Sequence, residues 1–204
     1  MRSRLLGAVC GCVSMFCVNP SVNASPIFSN SPVVTTVTNT ATFDGISGSL
    51  FGYTEDNIVV SVNDNHCCFA DAHYGSGGNN DWVTISLVGG ELINELDFLL
   101  GDGWTAFSGA ATTNLIWEAF VGATSTGFGD VLVNTGSIVG WTDLSGFTSI
   151  RVAANSLDIN AFGDFQAIAL DNVRISAVPI PAAVWLFGSG LLGMIGIARR
   201  NKAA

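Results

Sequence analysis

Residues 182–198 form an unbroken apolar run, introduced by Val178-Pro179-Ile180-Pro181 and closed by Arg199, Arg200 and Lys202. The run holds no charged side chain. As a helix its 17 residues would reach about 25 Å at 1.5 Å per residue, enough to cross a thin bilayer. Glycines at 188, 190, 193 and 196 would weaken a water-exposed helix but suit a membrane one, where small residues allow close packing. The cations after it predict a cytoplasmic C-terminus, with Trp185 near the opposite interface. A buried core helix would need a partner of similar apolar strength, and the sequence offers none. The tail is therefore expected to stand apart from whatever the rest of the chain folds into.

The other end carries a second address. Arg2 and Arg4 precede an apolar stretch from Leu5 to Val18, and Val22-Asn23-Ala24 supplies a small-residue cleavage site. Residues 1–24 are read as a signal peptide cut after Ala24. Val9-Cys10-Gly11-Cys12 loosely resembles a lipobox but leaves too short an apolar region before Cys12.

The order Val178-Pro179-Ile180-Pro181, then the glycine-rich apolar run, then Arg199-Arg200 resembles the PEP-CTERM sorting signal of exopolysaccharide-producing Gram-negative bacteria. Pro-Ile-Pro stands where the name-giving motif has Pro-Glu-Pro, so this copy is similar to the Val-Pro-Leu-Pro variant. The resemblance implies that an exosortase, a membrane transpeptidase, recognises the motif and removes the helix. It further implies delivery to the cell surface or to the extracellular matrix of a biofilm. The expected organisation is a signal peptide over 1–24, an exported domain over 25–178, and a sorting signal over 179–204 with its transmembrane helix at 182–198.

Dividing the chain this way sharpens its charge. Only Arg151 and Arg174 of the seven basic residues fall within 25–178, against all 16 acidic ones, a formal charge of −14. Such a body repels phosphate backbones and anionic lipid, so no nucleic-acid partner is expected. Cys10, Cys12 and Cys17 leave with the signal peptide. The exported body keeps the adjacent pair Cys67 and Cys68, which can form a strained vicinal disulfide, pair between molecules or stay reduced. No long-range disulfide staple is available, so the domain must rest on its hydrophobic core.

Period-two alternation between turn signals predicts an all-β body. Asp81 to Leu87 sets Val83, Ile85 and Leu87 against Trp82, Thr84 and Ser86; Thr148 to Ala154 sets Ile150, Val152 and Ala154 against Ser149, Arg151 and Ala153. Further strands are expected at Val33 to Thr38, Ile58 to Val62, Leu115 to Val121, Val131 to Asn134 and Phe165 to Ser176. Glu91 to Leu100 also fits a helical stripe, but the glycines that bracket it limit it to strand length. Eight or more strands without an amphipathic helix predict an antiparallel two-sheet sandwich, jelly-roll-like in topology.

Phe43-Asp44-Gly45 near the start of the body and Ala169 to Ile175 near its end are similar to carbohydrate-binding jelly rolls, whose first and last strands are neighbours and often share a structural Ca²⁺. That resemblance makes Asp44 and Asp171 candidate calcium ligands, since hard cations take clustered oxygens; a strand-edge turn or bulge is the plainer reading of Asp171-Asn172. No other cofactor is expected. Asn63 to His73 concentrates His66, Cys67, Cys68 and His73, but the spacing matches no common zinc pattern, so it is read as a loop. No G-x-S-x-G, H-E-x-x-H or G-x-x-x-x-G-K motif occurs. Trp104, Trp117 and Trp141 are the aromatics considered for stacking on sugars, although a sandwich more often places such residues in its core. Two functions remain from the sequence: a non-enzymatic structural or adhesive matrix protein, and a lectin-like module that binds the exopolysaccharide, with or without calcium.

Overall fold

The computed structural model describes residues 25–44, 52–62, 74–75, 82–102, 112–154 and 168–177. The signal peptide, the sorting tail with Val178, Pro179, Ile180, Pro181, Arg199 and Arg200, the pair Cys67 and Cys68, both histidines and Trp104 lie outside them. Among the described residues there is no helix, and so none long and apolar enough to cross a membrane.

The described residues form twelve strands in order: β1 (Ile27–Ser29), β2 (Asn39–Ala41), β3 (Gly52–Glu55), β4 (Ile58–Val62), β5 (Tyr74–Gly75), β6 (Val83–Leu87), β7 (Ile93–Asp102), β8 (Thr112–Val121), β9 (Thr124–Asn134), β10 (Ser137–Phe147), β11 (Ser149–Ala154) and β12 (Ile168–Ala177). Turn chemistry explains several of the breaks. Asp56 and Asn57 both adopt positive φ, 45° and 63°, as the tight I′ turn of the β3–β4 hairpin requires. Gly122 and Gly136, at φ 60° and 77°, serve the turns after β8 and β9.

All pairings among the described residues are antiparallel and build two sheets. Sheet A runs β1-β10-β7-β12-β2, with β5 also on β12; sheet B runs β3-β4-β6-β11-β8-β9. The chain crosses between the sheets repeatedly, so each is assembled from segments distant in sequence. Their inner faces share one core. Val83, Ile85, Leu87, Ile150, Val152, Leu115, Trp117 and Ala119 enter it from sheet B, and Leu96, Phe98, Leu100, Val139, Trp141, Val173 and Ile175 from sheet A. Trp141 lies 6.0 Å from Trp117 across the sheet interface and 5.7 Å from Phe98, and Phe28 of β1 meets it edge-on at 5.6 Å. Each such side chain removed from water contributes about 1.5–3 kcal/mol, which is how the domain holds without a described disulfide.

Most expected strands are present, with ends moved by a few residues. One is not: Val33 to Thr38 is no strand. Its first amides have a different acceptor, because the Val33 and Val34 N–H groups both donate to Asp97 Oδ2 at 2.9 Å. The chain here is a strap across the outer face of sheet A. Thr35 extends it, donating its N–H to Glu95 Oε2 at 2.8 Å and its hydroxyl to the same carboxylate.

Asp97 faces away from the core on β7 and is nevertheless fully buried. Besides the two strap amides it accepts from Arg174 Nε and Nη2, both at 2.8 Å, so one carboxylate joins β7, β12 and the strap. Gly140, its partner on β10, lets the strap come this close. A Cβ there would stand 2.6 Å from the Val33 side chain and 2.9 Å from the Leu96 carbonyl oxygen. Replacing Asp97 with Ala is expected to destabilise the domain by about 3 kcal/mol, since it orphans a half-buried guanidinium and two amides. Urea denaturation measures the loss, and hydrogen exchange at Val33 and Val34 should accelerate beyond exchange elsewhere in the sheet.

Candidate functional site

The two aspartates singled out from the sequence have local roles. The pairing of β2 with β12 does bring the two ends of the body together, Ala41 opposite Val173. Asp44 accepts from the Thr42 hydroxyl at 3.0 Å. Asp171 sits at a bulge in β12, where its two oxygens accept from the Asn172 backbone N–H at 2.7 Å and the Asn172 side-chain amide at 2.8 Å, with Asn172 at φ 51°. Among the described residues no three His, Cys, Asp or Glu side chains form a group able to hold a metal. Nearby, Glu55 of sheet B accepts from the Thr42 and Phe43 N–H groups, which ties the end of β2 to the opposite sheet.

Trp117 and Trp141 are core residues, 6% and 0% exposed. The aromatics that reach the surface are others. On the outer face of sheet B, adjacent strands bring Thr84, Arg151, Glu118 and Phe128 into one row, and Ala153, Ile116 and Asp130 into the next. Trp82, just before β6, stands at the side of these rows. Phe128 is 79% exposed, and Leu132, two positions along the same strand face, is 63% exposed.

A groove of about 370 Å³ on this face is lined by Trp82, Ile116, Glu118, Phe128 and Asp130, with Trp117 and Gly129 also contributing. On the inner side of the same strand as Phe128, Gly129 leaves room for the Trp117 indole to pack beneath β9; a Cβ there would lie 2.5 Å from Trp117 Nε1. The volume falls at the small end of the range for ligand clefts. A second hollow of about 270 Å³ lies over Asp97, Ile138, Asn172 and Arg174 on sheet A, but there the carboxylate and guanidinium already engage each other.

The polar side of the sheet B groove is held in place. Arg151 donates through Nε to Glu118 Oε2 at 3.0 Å, and Nη2 donates to the same oxygen. Its guanidinium carbon lies 4.4 Å from the Trp82 ring centroid and 5.2 Å from that of Phe120, so the cation is held between two aromatic rings. Donation from the Ser125 hydroxyl, and then from Arg151, keeps the Glu118 carboxyl below the usual range against the opposing effect of burial. Glu118 is thus an acceptor at neutral pH, shifted away from the raised value a proton-donating carboxyl needs.

Sequence reasoning missed this face, although a signal was present. In Thr124 to Asn134, Phe128, Asp130 and Leu132 alternate with Gly127, Gly129, Val131 and Val133, a period-two pattern with glycines on the inner side. No family model matches the chain, and the search of curated proteins found no match.

Because the folded state binds the Glu118 proton less readily than the unfolded state, stability from this carboxylate is complete above the unfolded value near 4.3 and is lost as pH falls through the lower folded one. Glu118→Gln is expected to cost about 1 kcal/mol or less at pH 7, as a partly exposed ion pair should. It should also flatten the acid limb of the stability profile below about pH 4.3, read by urea midpoints against pH.

Proposed function

We propose that this chain is an exported, non-enzymatic matrix protein that a signal peptide sends across the inner membrane and an exosortase sorts to the cell surface or the extracellular matrix of a biofilm, where it has a structural or adhesive role. The observation that carries the destination is the C-terminal order of Val178-Pro179-Ile180-Pro181, the 17-residue apolar run and Arg199-Arg200, with its resemblance to the PEP-CTERM signal. The helix at 182–198 anchors the chain in the inner membrane until processing.

The adhesive role is supported by the body itself. A formal charge of −14 and the absence of lysine from residues 25–178 favour a protein that stays dispersed from anionic surfaces, and the described sandwich presents an aromatic groove on the outer face of sheet B. The strand orders β2-β12-β7-β10 and β6-β11-β8-β9 support a jelly-roll reading: taken in chain order, these eight strands change sheet at every step except the β8–β9 hairpin, as two Greek keys do. β3, β4 and β1 then extend the edges. A carbohydrate-binding role is the second reading, and the groove over Ile116 is the observation that favours it.

Protein isolated from the native host is expected to begin at Ser25 and to lack residues 182–198 by intact mass. It should fractionate with the extracellular matrix, and exchange of Pro179 and Pro181 for Ala should leave it unprocessed in the inner membrane. Mature protein that still carries Pro181 to Ala204 would overturn the sorting assignment.

A further inference from the structure

The groove on the outer face of sheet B has the composition of a sugar site. Its apolar surfaces are two aromatic side chains, Trp82 and Phe128, standing on either side of Ile116. Hexopyranoses expose flat patches of C–H groups that rest on such rings, while their hydroxyls need acceptors and donors beside the ring. Glu118 and Asp130 flank the same aromatics and supply carboxylate oxygens, and Arg151 lies next to Glu118 as a donor. The arrangement is also pre-organised. Arg151 is fixed by Glu118 on one side and by Trp82 and Phe120 on the other, so ligand binding there need not order a free arginine.

Charge narrows the ligand class. The exported body carries a formal charge of −14, and the ionisable residues among those lining the groove, Glu118 and Asp130, are both acidic. A uronate- or sulfate-bearing polymer would meet repulsion over the whole approach and at the groove itself. A neutral polymer meets none. The groove's position favours a chain over a free monosaccharide, since it lies beside β9, the outermost strand of sheet B, with Leu132 continuing the exposed apolar line past Phe128.

We propose that the outer face of sheet B is a calcium-independent binding site for a neutral polysaccharide, with the exposed Phe128 as the stacking surface, Trp82 as an apolar wall, Ile116 as the floor, and Glu118 and Asp130 as hydroxyl acceptors. This rests on the matrix role proposed above and names the partner within it. The hydroxyl acceptors named here are Glu118 and Asp130 of sheet B and not the candidate calcium ligands Asp44 and Asp171, so the site is proposed to bind without calcium.

Affinity gel electrophoresis tests it, with the full chain in neutral detergent run through gels containing hydroxyethyl cellulose, a galactomannan or alginate. Retardation is expected in at least one neutral gel and not in alginate, and it should persist in EDTA. Phe128→Ala, an exposed position that the fold does not need, should weaken the apparent affinity about ten-fold, as loss of a central aromatic does, with an unchanged thermal midpoint. Asp44→Ala should have no effect. The proposal is overturned if neither neutral polymer retards the wild type, if alginate retards it more strongly, if Phe128→Ala binds as wild type does, or if EDTA abolishes binding. It is equally overturned if the same substitution instead dissolves a dimer seen by sedimentation in the absence of any polysaccharide, which would make the face a self-association surface. A chain that reaches the matrix but shows any of these outcomes removes the polysaccharide site and leaves the sorting assignment standing.

Discussion

A carboxylate buried on the outside of a sheet is the constraint that much of this structure answers. Asp97 points away from the core, so the core cannot shield it, yet it is fully buried. An isolated charge in that position would cost several kcal/mol, and it is tolerated because four donors converge on it. Those donors come from the start of the body and from its last described strand. The same interaction therefore orders the strap, sets the approach at Gly140 and locks β12 against β7. Glu55 plays a related part at the far end of β2, where it receives the Thr42 and Phe43 amides across the gap between sheets.

The two outer faces have consequently taken different roles. On sheet A the chain covers its own surface, and the charged pair there is consumed in holding the strap. On sheet B no described segment lies over Phe128, and the charged pair Glu118–Arg151 is arranged along the surface beside the groove. The difference follows from the strand positions. Asp97 lies on the middle strand of sheet A, within reach of a returning segment, whereas Phe128 lies on the edge strand β9, where pairing with β8 leaves one side of the strand unpartnered among the described residues. The proposed binding face is thus a consequence of where the N-terminal segment crosses and where it does not.

The two sheets are bridged by aromatic contacts in the core, which suits the durable fold that the proposed matrix role calls for. Trp141 contacts Trp117, Phe98 and Phe28, from three other strands in both layers. Trp117 belongs to β8 and packs beneath Gly129 of β9, so the two strands that carry the proposed binding face are held from below by this aromatic cluster. A site mounted that way keeps its geometry without needing ligand to order it.

Period-two alternation in β6 and β11 placed Val83, Ile85, Leu87, Ile150 and Val152 in a core before any coordinates, because burial on one face of a strand leaves that mark on every second residue. The same logic failed for Val33 to Thr38, whose alternation and β-branched residues suit a strand but whose amides are taken by a carboxylate more than 60 residues away. It also failed for β10, where glycines and polar residues interrupt the pattern although Trp141 lies at the centre of the core. Which tryptophans face solvent was a tertiary matter as well: Trp117 and Trp141 went inward and Trp82 to the surface, since the sheet partner of each strand decides which face is covered. The sequence by itself determined an all-β body, its acidity and the resemblance of its tail to a sorting signal, because composition and local periodicity act over a few residues. Only the tertiary structure decided that Asp97 closes one sheet face and that Phe128, Glu118 and Asp130 open the other, because those groups meet only when strands distant in the chain pair.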